Sequence, residues 1–281
     1  MKKARKYIIW LIVIVVIVIA GYFSFGRSNN TKTKTVTIGI MTGTKRDNAI
    51  WDTVKKTAKD KYNLKINLKE FTDYSQPNKA LSSHNIDLNS FQNYKFQNTW
   101  NEAHDSHIIS IGKTVIEPLR IYSKKVTNVK QIKTNSTIAV PNDATNEARA
   151  LKLLQTAGLI TLKPNQKLAT TKSIAKNPKN LKIKEVDASQ TAHALPNVEA
   201  SVINGNYAIA SGVKKKTSIF VEPIDKNSYP YINIISANRK DKNKKIYKDV
   251  VKSYQTNVNK KEIKKAYNGL DKSAWDLNLH K

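Results

Sequence analysis

Thr137-Ile-Ala-Val-Pro-Asn-Asp-Ala-Thr-Asn-Glu-Ala-Arg-Ala-Leu151 holds a whole structural unit in one short stretch. Thr137 to Val140 is a brief apolar run of the kind that fills a fully buried strand. Asn142 and Asp143 supply short polar side chains that accept hydrogen bonds from the free N–H groups opening a helix. Ala148, Leu151, Leu154 and Ala157 follow at helical spacing, and Gly158 predicts the stop. A buried strand running straight into an amphipathic helix is half of a β-α-β crossover.

The same alternation extends in both directions. Val36 to Met41 reads as a buried strand ending in the turn Thr42-Gly43-Thr44, after which Ile50, Trp51, Val54 and Ala58 share one helical face. Lys65 to Phe71 alternates like a strand, and Pro77 to Ser83 suits a short helix. Further strands are predicted at 86–91, 108–111, 181–186, 200–203 and 231–236, and residues 242–268 read as helical. Repeated β-α-β order predicts an α/β fold of mostly parallel sheets covered by helices, and the length suits two lobes around a cleft.

Ahead of this body, Lys2, Lys3, Arg5 and Lys6 precede an uncharged apolar run from Tyr7 to Phe25. A run of about 19 residues just spans a hydrocarbon core as a helix. Tyr7, Trp10, Tyr22 and Phe23 sit near its ends, where amphipathic rings favour the interface, and the basic flank stays on the cytoplasmic side. A cleaved signal peptide is the competing reading. The run is longer than a usual signal core and no small-x-small cleavage site follows, so a retained single-pass anchor is expected, with the body outside the cell membrane. Residues 1–27 then form the basic flank and anchor, and 28–35 a polar linker.

Composition narrows the chemistry. The 281 residues include no cysteine, which excludes disulfides, thiol nucleophiles and a cysteine-borne lipid anchor. The formal charge is +28, but the lysines are scattered along the chain, whereas a nucleic-acid reader concentrates its charge on one element. No nucleic-acid partner is expected. Gly39-Ile-Met-Thr-Gly43-Thr44-Lys45 lacks phosphate-loop spacing and reads as an ordinary strand-to-helix turn. His104 and His107, beside Glu102 and Asp105, lack an evident third ligand, and a polar helix end explains them equally well. No nucleophile elbow occurs, so no catalytic residue, metal or cofactor is assigned. A membrane-tethered hydrolase or transferase, and a cationic envelope-binding protein, remain as alternative classes.

Four ordered segments carry a resemblance. Phe71-Thr-Asp-Tyr-Ser-Gln-Pro-Asn-Lys-Ala-Leu81, Ile86-Asp-Leu-Asn-Ser-Phe-Gln-Asn93, the opening stretch from Ile138 to Leu151, and Ala200-Ser-Val-Ile-Asn-Gly-Asn-Tyr-Ala208 resemble the methionine-binding lipoprotein family (NlpA-like). Its members are the substrate-binding subunits of methionine ABC importers. The resemblance spans roughly residues 36–267. It implies no enzyme but a receptor delivering an amino acid or short peptide to an ABC transporter permease. It also implies a two-lobed periplasmic-binding-protein-like (type II) fold, with lobe 1 at 36–118 and 231–281, lobe 2 at 119–230, and crossings near 118–123 and 228–232.

In this setting Arg149 is suited to a bidentate grip on a ligand carboxylate. Asn146 and Asn204 each donate and accept, as a zwitterion requires. Tyr74 and Phe91 are expected to wall the ligand side chain, aromatic faces suiting a thioether. Asn93 stands where the family has histidine, which leaves another amino acid or a short peptide open beside methionine.

Overall fold

The computed structural model describes residues 33–279. The expected anchor at 1–27 and the linker residues 28–32 lie outside them, and residues 34–35, expected as linker, open the first strand. Among the described residues no helix is long and apolar enough to cross a membrane.

The chain opens with β1 (Lys34–Met41), α1 (Lys45–Tyr62) and β2 (Leu64–Phe71), and β2 pairs parallel with β1 from Lys34↔Leu64 to Met41↔Phe71. Thr44 caps α1: its hydroxyl accepts from the Arg46 N–H, and Asp47 Oδ2 returns a bond to the Thr44 N–H at 2.7 Å. The loop read as an ordinary turn is therefore a capping box, with the Thr44 N–H used internally. Then come α2 (Gln76–Ser82), β3 (Leu88–Asn93), α3 (Tyr94–His104) and β4 (Ile108–Ile116).

After β4 the strands belong to a second sheet. It is built from β5 (Arg120–Tyr122), β6 (Thr137–Pro141), β9 (Lys182–Val186), β10 (Ala200–Ile203) and β11 (Ser218–Val221) in the order β11-β5-β10-β6-β9. Helix α4 (Ala144–Thr156) follows β6, and β7 (Thr161–Leu162) and β8 (Ile174–Lys176) form a small separate ribbon. Short helices α5 (Thr191–Ala194) and α6 (Gly205–Ala210) flank β10. The chain returns to the first sheet through β12 (Ile232–Asn238), followed by α7 (Lys245–Tyr254), α8 (Asn257–Tyr267) and β13 (Lys272–Ser273). The first sheet has the order β13-β4-β12-β3-β1-β2, so β12 is inserted antiparallel between β3 and β4. With β5 also antiparallel to its neighbours, both sheets are mixed rather than mostly parallel as expected.

Each sheet has its own apolar core. Val36, Ile38 and Ile40 of β1 pack with Ile50, Trp51, Val54 and Ala58 of α1, and α7 and α8 close over them with Tyr247, Val250, Tyr254 and Ile263. In the second sheet Ile138 and Val140 pack against Ala150, Leu151, Leu153 and Leu154 of α4. Burying each such aliphatic side chain is worth about 1.5–3 kcal/mol.

Several local expectations shift. The strand expected at 86–91 runs 88–93, since Ile86 is buried in the approach to it. The helical stretch at 242–268 is two helices, because Thr256 caps the second by accepting from the Asn259 N–H. His104 stacks on Trp100 with centroids 3.7 Å apart, and Glu102 pairs with Lys167 at 3.1 Å.

Candidate functional site

The C-terminal ends of β1, β3 and β4 face the start of α4 and the end of β10. Between them lies a cleft of about 1040 Å³, its open mouth included, and Tyr74, Phe91, Asn93, Asn146, Arg149 and Asn204 all line it. Ligands of open α/β sheets bind at these strand ends, where the connecting loops diverge.

Tyr74, in the loop after β2, is the centre of an aromatic group. Its ring lies 6.0 Å from Phe91, 5.8 Å from Phe96 and 4.9 Å from Tyr207. Its hydroxyl donates to Asn206 Oδ1 at 2.5 Å, and the Tyr207 hydroxyl donates back to the Thr72 carbonyl at 3.1 Å. The loop after β2 is thereby tied to the start of α6. Phe91 and Asn93 are held by a buried polar network at the end of β3. Asn78 Oδ1 accepts from Asn89 Nδ2 at 2.9 Å and Gln92 Nε2 at 2.8 Å, and Asn78 Nδ2 donates to Gln92 Oε1 at 2.8 Å. The register of β3 against β12 shifts at this point.

The polar residues have more local work than the sequence implied. Asn93 caps α3, its Oδ1 accepting from the Phe96 N–H at 2.9 Å. Asn146 donates through Nδ2 to both oxygens of Asp143, and its Oδ1 accepts from Asn204 Nδ2 at 2.9 Å. Asn146 Nδ2 is thus turned to the Asp143 carboxylate and its Oδ1 to Asn204, so it acts as a prop for Asn204. Arg149 is 5 % exposed and already gripped. Nε and Nη2 donate to the two carboxylate oxygens of Glu222, Nη2 also donates to the Glu117 carbonyl at 2.8 Å, and the guanidinium lies 4.3 Å from the Tyr231 ring centroid. The fork expected for a ligand carboxylate is occupied by Glu222, and only Nη1 makes no hydrogen bond within the described residues.

Asn204 Oδ1 and Asn206 Nδ2 are buried, and neither has a hydrogen-bond partner within the described residues. One is an acceptor and the other a donor, two residues apart where β10 runs into α6. Leaving such groups unpaired costs about 1–3 kcal/mol each.

Sequence reasoning missed Asn206, although it lies inside the fourth quoted segment, and it missed Glu117. Glu117 Oε1 accepts the Gly205 N–H, and a Cβ at Gly205 would come within 2.5 Å of that oxygen, so only glycine permits the approach. Burial raises the Glu117 pKa above the ordinary carboxylate value, opposed by Arg149 and the N–H groups of Gly205 and Asn206. Asp143 is raised by burial too, against the bonds from Asn146.

Known proteins with this geometry form a consistent set. The family model described as NlpA lipoprotein matches residues 36–275. A probable D-methionine-binding lipoprotein, MetQ, of Pasteurella multocida is 38% identical over 242 residues, covering 85% of this chain and 86% of the relative. The crystal structure of the substrate binding protein of a methionine transporter from Streptococcus pneumoniae superposes with a TM-score of 0.82 at 42% identity, covering 86% of this chain and 96% of that one. A nutrient binding protein from Burkholderia cenocepacia, solved bound to methionine, gives 0.81 at 40% identity and covers 85% and 99%. The fold is therefore the α/β periplasmic-binding-protein-like fold of these structures, and the chain belongs to the NlpA lipoprotein family.

Proposed function

We propose that this protein is an extracytoplasmic solute-binding protein, not an enzyme, which delivers methionine, a related amino acid or a short peptide to an ABC transporter permease. The observation that carries this reading is the buried, unpartnered pair of Asn204 Oδ1 and Asn206 Nδ2 in a cleft walled by Tyr74 and Phe91. An acceptor and a donor without partners beside an aromatic wall match an amino acid, whose ammonium donates, whose carboxylate accepts and whose side chain is apolar. Relatives named for methionine support the ligand class. The ligand carboxylate is assigned to Arg149 Nη1 and Asn206 Nδ2, and its polar head also meets Asn204.

The two sheets are read as the cores of two lobes in a type II arrangement, 36–118 with 231–281 and 119–230, which close on the ligand. The bonds from Tyr74 to Asn206 and from Tyr207 to Thr72 are the latches of the closed form. Relatives are named lipoproteins, but this chain has no cysteine among its 281 residues, so attachment is assigned to the apolar run from Tyr7 to Phe25, with the body outside the membrane. Mass spectrometry of small molecules released on denaturing the purified full-length protein tests the ligand class. An amino acid or short peptide in stoichiometric amount is expected, and a nucleotide, sugar or metal ion in its place would refute the reading.

A further inference from the structure

The cleft also has lining that the ligand head does not use. Asp47, Trp51, Tyr254, Tyr267 and Asp271 border it as well, on the side of the first sheet that α1, α7 and α8 cover. The charges there run against the rest of the molecule. The whole chain is formally +28, yet the cleft is lined by three carboxylates, Asp47, Glu117 and Asp271, against one cation, Arg149, which Glu222 already neutralises.

Two of the carboxylates have evident structural work. Asp47 completes the α1 capping box through Oδ2 and accepts the Tyr267 hydroxyl through Oδ1, while Glu117 accepts the Gly205 N–H. Asp271 has none. It is 5 % exposed and makes no hydrogen bond or ion pair within the described residues. Burial, together with Glu117 and Asp47, raises its pKa well above the ordinary carboxylate value, and Arg120 opposes this from too far to pair. A buried carboxylate without a partner is costly. In the same cleft Asn204 Oδ1, on a residue 7 % exposed, is an acceptor without a donor and marks the place of the ligand head. Asp271 calls for a positively charged donor at a second point of the ligand. Among the described residues no three acids or histidines are grouped to hold a metal ion. Aromatic faces beside a carboxylate suit an organic ammonium instead.

We infer that Asp271, with Tyr254 and Tyr267 beside it, forms a subsite for a ligand ammonium separated from the ligand carboxylate by more than one carbon. Such an ammonium is either the N-terminus of a short peptide or the side chain of a basic amino acid. The inference rests on the amino-acid reading above and sharpens its substrate class: the preferred ligand extends beyond the head group of a free neutral amino acid.

The test is calorimetric titration of the full-length protein in mild detergent with L-methionine, alanyl-methionine and L-lysine, on wild type and Asp271→Asn. Either the dipeptide or lysine is expected to bind wild type more tightly than methionine. Asp271→Asn should weaken that ligand by about 30-fold or more, the usual effect of truncating one partner of a buried charge pair, and leave methionine within about threefold. Tighter dipeptide identifies the peptide N-terminus as the source, and tighter lysine the side chain. The melting temperature of ligand-free Asp271→Asn should stay level or rise, since an unpaired buried charge is removed; a fall of several degrees would assign Asp271 to the fold and overturn the subsite. Unchanged ratios among the three affinities in Asp271→Asn would also overturn it, while methionine binding by itself leaves the receptor reading intact. Absence of binding by all three ligands would overturn both.

Discussion

Arg149 shows how far a single residue can be read in isolation. Its place in the first turns of α4 was legible from the helical spacing of Ala148, Leu151 and Leu154. Its partner Glu222 lies 73 positions away in sequence and was not. The same holds for Asn204, whose unpaired Oδ1 depends on Asn146 occupying its Nδ2, and for Asp271, whose isolation is set by Tyr254 and Tyr267 of other elements. Arg149→Ala should therefore act on stability first. Removing one partner of a buried pair costs about 3–5 kcal/mol, so thermal unfolding of the ligand-free variant should show a large loss. An unchanged melting temperature would mean that the Glu222 pair is not a stabilising contact. Asp271 and Glu117 also give the protein a pH signature. Their folded-state pKa values lie above the unfolded ones, so the folded state binds more protons in the interval between, and their contribution to stability rises as pH falls through it. Below the ordinary carboxylate range there is no further gain. Asp271→Asn should be more stable than wild type at neutral pH, with the difference shrinking on acidification through that interval. A difference independent of pH would show that Asp271 does not titrate as assigned.

At the level of elements, the reading succeeded where apolar period and local punctuation agree. β1, β6 and β10 are four- to eight-residue apolar runs, and the faces of α1 and α4 follow spacing visible in the chain. It failed where tertiary context decides. The helix α3 has a polar sequence and buries only Gln97 and Trp100, which gives little periodic signal. β5 and β11 are three- and four-residue strands that exist only as antiparallel neighbours in the second sheet. The end of β3 is the element on which the site depends most, because Phe91 and Asn93 project from a strand whose register is interrupted there. Asn78, fully buried in the network beneath it, is a positioning residue for that strand end. Asn78→Ala leaves Gln92 Oε1 without its donor and Asn89 Nδ2 with only the 3.4 Å bond to the Pro77 carbonyl, and should destabilise by about 1–3 kcal/mol. Chemical denaturation measures this, and a loss below about 0.5 kcal/mol, the range of ordinary surface substitutions, would show that the network is not structural.

For the whole molecule, the alternation of strands and helices announced the α/β class, and four ordered segments announced the family. What the sequence did not show is that β12 returns between β3 and β4, since an antiparallel insertion leaves no local mark. The membrane segment is a molecular-scale expectation resting on Tyr7 to Phe25 alone. Intact-mass measurement of the protein from isolated membranes should give a chain that retains Met1 to Arg27, and a mature chain beginning beyond Gly21 would refute the retained anchor. The central claim is that the cleft between the two sheets seats an amino-acid ligand against the unpartnered amides where β10 runs into α6. Calorimetric titration of full-length wild type and Asn204→Ala with L-methionine tests it most directly. Wild type should show saturable one-site binding, and Asn204→Ala should lose about 1–3 kcal/mol of it while remaining folded. Equal affinities in the two proteins, or no binding of L-methionine, alanyl-methionine or L-lysine to wild type, would contradict the account.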